Sequence, residues 1–579
     1  MRDSVPPPEY PEYRYFTLVP GVTQEEIEAI TRLQGQERSF VYGMNLTTEC
    51  FLQADGTTGG FSSLFCQWLG NLFGMTFTPS VYEWEDLLAG LESGKIDFTG
   101  ELTATEERRN RYFMTGAIAE RTVKFMRIRG SEAVQDIAKR RPLSYAFLEG
   151  TVTYGQISPF IQDEFTASFV GDYDRAYRLM KDGSIDAFFD EGPAEAGFDI
   201  YGDVIAENFF PLVYGPVSLT TQNPDLAPII SVVQKALQNG ASYHLPQLYS
   251  RGDAEYRRHK LYVQLDDDEK KYLAAHAATP GGFIPIAAEF DNYPVSFYNE
   301  QEKAFQGIAM DVLARIEDLT GLRFVSVSGT TEPWLSLLEK LERDEIVMVT
   351  ELIKTGEREG RFIWPEDSYQ TDYYALLSRS DAADITINEA LYSRIGLITD
   401  TAYADIFHEW FPDHQNTIYY DIVLTAFDAL EDGEIDLLMA SRNLLLSVTN
   451  YMERPGFKVN MAFNHPYESF FGFNVNEKVL CSIVSKAQRL IDTQSIVDHW
   501  TRRVFDYRGK LAQTQVSYLV AVSLLLLLIL ILLTVVFLKN RQFGKGLEKL
   551  VKQRTAELEI QTDAAQVANR AKSEFLAKM

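Results

Sequence analysis

The longest apolar run in the chain is Val516 to Leu538, VSYLVAVSLLLLLILILLTVVFL, 23 residues without a charge. At about 1.5 Å per residue it reaches roughly 34 Å, enough for a hydrocarbon core of about 30 Å. It predicts one membrane-spanning helix. Upstream, apolar and polar positions alternate in shorter patterns. Thr23-Gln-Glu-Glu26 reads as a capping box that opens a helix to about Gln34, and Asp266-Asp-Asp-Glu269 repeats the device before a second helix. A strand-like run follows each helix, Ser39–Met44 and Phe283–Ala288. Farther on, Ile308, Val312, Ile316 and Leu319 form one stripe of an amphipathic helix. RFVSVSG and EIVMVT read as strands, with a helix over Trp334–Arg343 between them.

The pattern repeats. Glu101-Leu102-x-x-Thr105-x-Glu107-Arg108 matches Glu351-Leu352-x-x-Thr355-x-Glu357-Arg358 at an offset of 250, and Trp84 matches Trp334 at the same offset. Ala176–Asp186 (AYRLMKDGSID) faces Ala426–Asp436 (AFDALEDGEID), while Gly74–Phe77 faces Gly321–Phe324 after a slip of three. One offset kept over more than a hundred residues implies two homologous domains, 37–260 and 270–508. Each alternates strand and helix in two halves, which predicts α/β lobes around a cleft. The remaining segments are 1–36, an extended stretch and a helix; 516–538, the span; and 539–579, a helical tail.

Charge orients the span. Residues 539–579 carry nine Lys/Arg and five Asp/Glu, clustered as Lys539, Arg541, Lys545, Lys549, Lys552 and Arg554 just after the apolar run. The positive-inside bias puts this tail in the cytoplasm and residues 1–515 outside, in a single-pass protein of the cell membrane. The chain's net charge is −28, so the tail's +4 leaves the remainder at −32, which argues against a nucleic-acid partner. MRDSVPPPEYPEY has no apolar signal region, and the expectation is that an export signal lies upstream. Three cysteines, Cys50, Cys66 and Cys481, form no CxxC pair. Buried free thiols are expected, with a Cys50–Cys66 disulfide as the alternative; no metal and no cofactor is expected.

The motifs of both units resemble bacterial solute-binding proteins of family three. They are Gly60-Phe61, then Trp84-Glu-Asp-Leu-Leu through Gly94 and Asp97, then Thr103-Ala-Thr105-Glu-Glu-Arg108, then Ala176 through Gly183 and Asp186 to Asp190. The resemblance implies an α/β fold of two tandem bilobed, periplasmic-binding-protein-like domains. It also implies a small-molecule ligand, an amino acid or a small carboxylate. By position it assigns Arg108 to a ligand carboxylate, Thr103 to a supporting hydroxyl or N–H, and Asp190 to an ammonium. A guanidinium fork suits a carboxylate in a dry cleft. The plain alternative for Arg108 is a surface ion pair with Glu106 or Glu107. Phe51 is either a pocket wall or a core residue. Glu101 departs from the small polar residue the pattern expects, and either rims the pocket, favours a cation or pairs with Arg108. Domain 2 keeps Arg358 but has Ala440 for Asp190 and Ile353 for Thr103. It either binds an anion without an amine, using Arg358 near Tyr293 and Phe297, or is empty and structural.

In the tail, Leu547, Val551, Leu558, Ala565, Ala568 and Phe575 suggest a coiled coil that Arg554 and Gln561 interrupt. LVKQRTAELE and ANRAKSEFLAKM resemble the signalling helix and first dimerisation helix of sensor histidine kinases. None of the seven histidines lies in the tail, so the phosphoacceptor and the ATP-binding domain are expected beyond Met579. The expected function is the sensing and membrane-spanning part of a hybrid-type sensor histidine kinase. The expected partners are a second copy as homodimer and, through the kinase part, a response regulator. The alternatives are a tethered receptor for a transporter, an enzyme such as a dehydratase that uses Glu101 as general acid, or a cyclase output.

Overall fold

The computed structural model describes residues 13–277, 282–452, 454–503 and 507–577, the last stretch with side chains from 519. The extended N-terminal segment before Tyr13 and the last two residues of the tail motif lie outside the described residues.

Both capping boxes are present. Thr23 receives the N–H of Glu26, whose carboxylate receives the N–H of Thr23 at 2.7 Å, and the helix Gln24–Gln34 follows. That carboxylate also takes the Lys235 ammonium at 2.7 Å and the Ser231 hydroxyl at 2.6 Å, which ties the helix to Ala227–Gln238. At the second box, Asp266 N–H donates to Glu269 at 2.7 Å and Glu269 N–H to Asp266 at 2.9 Å.

Domain 1 is built on one nine-stranded sheet. Thr76–Val81, Ser39–Met44 and Phe98–Thr103 run parallel in the first lobe. Phe165–Val170, Leu143–Leu148 and Ala187–Glu191 run parallel in the second. Phe113–Ile128 and the antiparallel Tyr214–Thr221 join them. A strand of 16 residues at about 3.3 Å each spans roughly 53 Å, long enough to serve both lobes. Every residue of Phe98–Thr103 is buried, as a central strand covered on both faces requires.

Domain 2 repeats the plan with its two lobes as separate sheets. Phe324–Ser326, Ile284–Ala287 and Met348–Val349 are parallel in one; Thr417–Tyr420, Ile395–Ile398 and Leu437–Ser441 are parallel in the other. Gln370–Arg379 and Phe457–Ser469 pair antiparallel beside the second set. The strand read from EIVMVT is shorter than the sequence suggests. Ahead of the helix that carries Ile308 lies a small meander of Asp291–Asn292, Ser296–Asn299 and Ala304–Gln306. Ile308, Val312 and Ile316 are buried in the domain core, and Leu319 packs against it.

The helix Leu245–Gln264 joins the domains. It packs on Phe61–Phe73 of domain 1, while Leu261 and the following Leu265 enter the core of domain 2. Cys50, Cys66 and Cys481 are buried free thiols, so there is no Cys50–Cys66 disulfide. The helix Tyr507–Ala577 contains a segment long and apolar enough to cross a membrane, with its apolar side chains uncovered by protein. The architecture is α/β, two tandem bilobed domains followed by that helix.

Candidate ligand clefts

The cleft of domain 1 begins where Phe98–Thr103 ends. Thr105 caps the short helix Glu106–Arg111 by accepting the N–H of Arg108 at 3.2 Å, and Thr103 O accepts from Arg108 Nη1 at 3.3 Å. This turn aims the guanidinium into the cleft. Among the described residues no carboxylate lies within ion-pair distance of Arg108, so the surface pair with Glu106 or Glu107 does not form. Burial lowers the pKa of Arg108, an effect that Tyr112, Glu191 and Glu107 partly offset.

Across the cleft, Asp190 ends the strand Ala187–Glu191 and is 5% exposed. It accepts the N–H of Glu191 at 2.8 Å and the Tyr173 hydroxyl at 3.2 Å, and among the described residues no cation lies within ion-pair distance, though Arg121 acts on it from farther off. Burial, then the charge of Glu191, raises its carboxyl to about 7. Arg108, Thr103, Glu101 and Asp190 therefore line one cleft, with Asn45, Trp84 and Tyr173 completing its walls. The free space is about 50 Å³, room for a few waters.

Sequence reasoning missed the residue at the centre of this cleft. Arg121, 3% exposed, projects from the crossing strand Phe113–Ile128. It donates to Glu49 at 2.9 and 2.7 Å, to Glu101 at 2.6 Å and to Glu191 at 2.8 Å. Glu49 also takes the Tyr249 hydroxyl at 2.9 Å. Burial opposes the charge on Arg121, but Glu101, Glu49 and Glu191 outweigh it and hold the guanidinium protonated. Glu101 thus lines the cleft while paired with Arg121, not with Arg108. The groups joined here are three acids and one base, each acid 20 to 72 positions from Arg121 in sequence, and no local spacing marks them. Phe51 is a core residue away from the lining. It stacks on His259 at 4.8 Å and meets Tyr256 edge-on at 5.5 Å.

The second cleft has the same frame. Arg358, 5% exposed, donates through Nη1 to Ile353 O at 3.0 Å, as Arg108 does to Thr103. It also reaches across the cleft through Nη2 to Asp400 O at 3.2 Å, a carbonyl shared with Trp334 Nε1 at 3.1 Å. Asp400 has φ +55°, and its repeat partner Gly150 has φ +78°; the left-handed turn is kept even where the glycine is not. Asp291 accepts the N–H of Val423 across the same gap at 3.2 Å. Tyr293 and Phe297 do not flank Arg358. They lie in the hydrophobic core with Tyr451 and Trp500, and the ring near the guanidinium is Trp334, at 5.9 Å. Ala440 is buried in its strand opposite Ala375 and contributes nothing to the cleft.

Instead, two acids from the first lobe face the second cleft. Asn292 Nδ2 donates to Glu289 at 3.3 Å and to Glu351 at 2.6 Å, and Ser469 donates to Glu351. Burial raises both carboxyls; for Glu289 the charges of Glu351 and Asp291 add to it, and for Glu351 that of Asp372. Burial also lifts Asp291 to about 6. The free space is about 60 Å³. Among the described residues no cluster of His, Cys, Asp and Glu has the arrangement of a metal site.

Comparison with known proteins agrees with this frame. Residues 43–250 match the model of the bacterial extracellular solute-binding proteins, family 3. No curated protein matches the chain. Among solved structures, the periplasmic domain of B. pertussis BvgS is 17% identical, with a TM-score of 0.42 over 85% of this chain and 96% of that one. A histidine kinase sensor domain with similarity to periplasmic binding proteins is 12% identical over 39% of this chain and 98% of its own, with a TM-score of 0.35. A mutant of ArgBP from T. maritima is 14% identical over 40% and 98%, with a TM-score of 0.35.

Proposed function

We propose that this chain is the extracytoplasmic sensing and membrane-spanning part of a sensor histidine kinase. Residues 37–260 and 270–508 are its two sensing domains, 516–538 its span, and 539–579 a cytoplasmic signalling helix. Domain 1 binds an amino acid or a related small carboxylate. The observation that carries the reading is one cleft holding Arg108 without a carboxylate partner and, on the opposite lobe, Asp190 without a cation partner. A ligand carboxylate on Arg108 and Thr103, with its ammonium on Asp190 and Tyr173, supplies both missing charges and draws the lobes together. Closure in a homodimer then shifts the helix that runs from domain 2 into the membrane, and the register of the tail biases the kinase toward or away from its response regulator. The ligand moves that equilibrium only by its differential affinity for the two states.

The test is calorimetry of the detergent-solubilised chain against single amino acids and small carboxylates, beside Arg108→Ala. Loss of a charge-assisted contact of about 1.5–3 kcal/mol weakens binding by roughly 10- to 100-fold. Equal affinity in wild type and Arg108→Ala for every ligand that binds would refute the site.

A further inference from the structure

The two clefts differ at one charge. Glu101 and Glu351 occupy equivalent places, 250 residues apart, and both are buried. In domain 1 the crossing strand delivers Arg121 to Glu101. The register of that strand follows from its pairings, Lys124 with Asp190 and, in domain 2, Ala375 with Ala440. Three positions earlier on each stand Arg121 and Asp372. The built-in cation of domain 1 is therefore an acid in domain 2. Asp372 turns to the backbone, accepting the N–H groups of Tyr373 at 2.7 Å and Asn443 at 3.1 Å.

The consequence is an imbalance inside an enclosed cleft. Glu289, Asp291, Glu351 and Asp421 line it against Arg358 alone. Among the described residues no Lys, Arg or His lies within ion-pair distance of Glu289 or Glu351, and their carboxyls are pushed up as an uncompensated pair must be. Arg358 provides an independent second sign. It is 5% exposed, has among the described residues no carboxylate within ion-pair distance, and commits two of its five N–H donors, to Ile353 O and Asp400 O. An unpaired buried cation and an unpaired buried acid pair thus face the same small space.

We propose that the domain 2 cleft binds a short amino or guanidino acid, with its cationic group seated on Glu289 and Glu351 and its carboxylate on the remaining donors of Arg358. The ligand brings the positive charge that Arg121 supplies within domain 1. The ammonium position is accordingly on the first lobe, not at Ala440, where the repeat would place it. The site is independent of the one proposed for domain 1. Free space of about 60 Å³ limits the ligand to a few heavy atoms between the charges unless the lobes part.

The test uses the full chain in detergent with domain 1 silenced by Arg108→Ala and Asp190→Asn. The probes are glycine, β-alanine and guanidinoacetate, with acetate and methylammonium as single-charge controls. At least one of the three zwitterions should bind at least tenfold tighter than either control. Glu351→Gln and Glu289→Gln, which keep the shape and the bonds to Asn292, should each weaken it at least tenfold, with melting temperatures near that of the parent. Zwitterions no tighter than acetate, no binding by any probe, or unchanged binding in both Gln variants would each overturn the proposal. Binding in wild type that vanishes in the silenced chain overturns this inference and leaves the domain 1 site standing. Binding that persists in the silenced chain and responds to Glu289 and Glu351 supports this inference, and the domain 1 site then stands or falls by the Arg108→Ala comparison alone.

Discussion

Replacing Asp190 by Asn removes a buried charge while keeping the shape of the side chain. Asp190 is 5% exposed, accepts two hydrogen bonds and among the described residues has no cation within ion-pair distance, and its carboxyl sits at about 7 instead of 3.8. In the unfolded chain it titrates near its ordinary value. Between about pH 4 and 7 the folded protein therefore holds a proton that the unfolded chain has released, and stability falls as pH rises through that window. A rise of roughly three units corresponds to about 4 kcal/mol, absent below pH 4 and fully felt above pH 7. Asn cannot ionise and escapes this loss. Its altered hydrogen bonding to Tyr173 and Glu191 adds an offset that does not depend on pH, so the comparison across pH isolates the charge. The assay is thermal unfolding of domain 1 in the full chain, wild type and variant, from pH 4 to pH 8. At about 2–4 °C per kcal/mol for a domain of this size, the variant should gain on wild type by roughly 8–16 °C over that range. Most of the gain should fall below pH 7. Parallel curves for the two proteins would refute the assignment of a buried, uncompensated carboxylate.

Arg121→Met should destabilise domain 1 by about 3–5 kcal/mol, because it strands Glu49, Glu101 and Glu191 in a buried space. A melting temperature unchanged at pH 7.5 would exclude the network as a structural element. Gly307→Ala should cost about 1–3 kcal/mol or more and lower the melting temperature of domain 2, since Gly307 has φ +130° and a Cβ there would stand 2.4 Å from Val295 O. Gly60 opens the matching helix of domain 1 with φ +93° and the Glu49 carbonyl 2.6 Å from a Cβ, so Gly60→Ala should behave alike, and neutrality of both variants would sink the argument.

Much of this molecule was legible along the chain because the forces concerned are local. The capping boxes at Thr23 and Asp266 bond residues three apart, and the apolar run from Val516 needs only its own length. The 250-residue offset also survives in geometry, as the left-handed positions Gly150 and Asp400 show. The turn from Thr103 to Arg108 forms within one short segment, and its copy from Ile353 to Arg358 repeats the same bond. Other features depended on which strand crosses beside which. Arg121 meets Glu49, Glu101 and Glu191 only because Phe113–Ile128 passes between the lobes, and a one-residue change of register would turn it to the other face. Phe51, Tyr293 and Phe297 offered apolar rings without saying which surface they would cover, and packing took all three into cores. Composition alone marks Glu289 and Glu351 as ordinary acids among 82. Folding sets them side by side with, among the described residues, no cation in ion-pair range and only Arg358 facing them across the cleft, because electrostatic pairing is decided by distance in space and not by position in the chain.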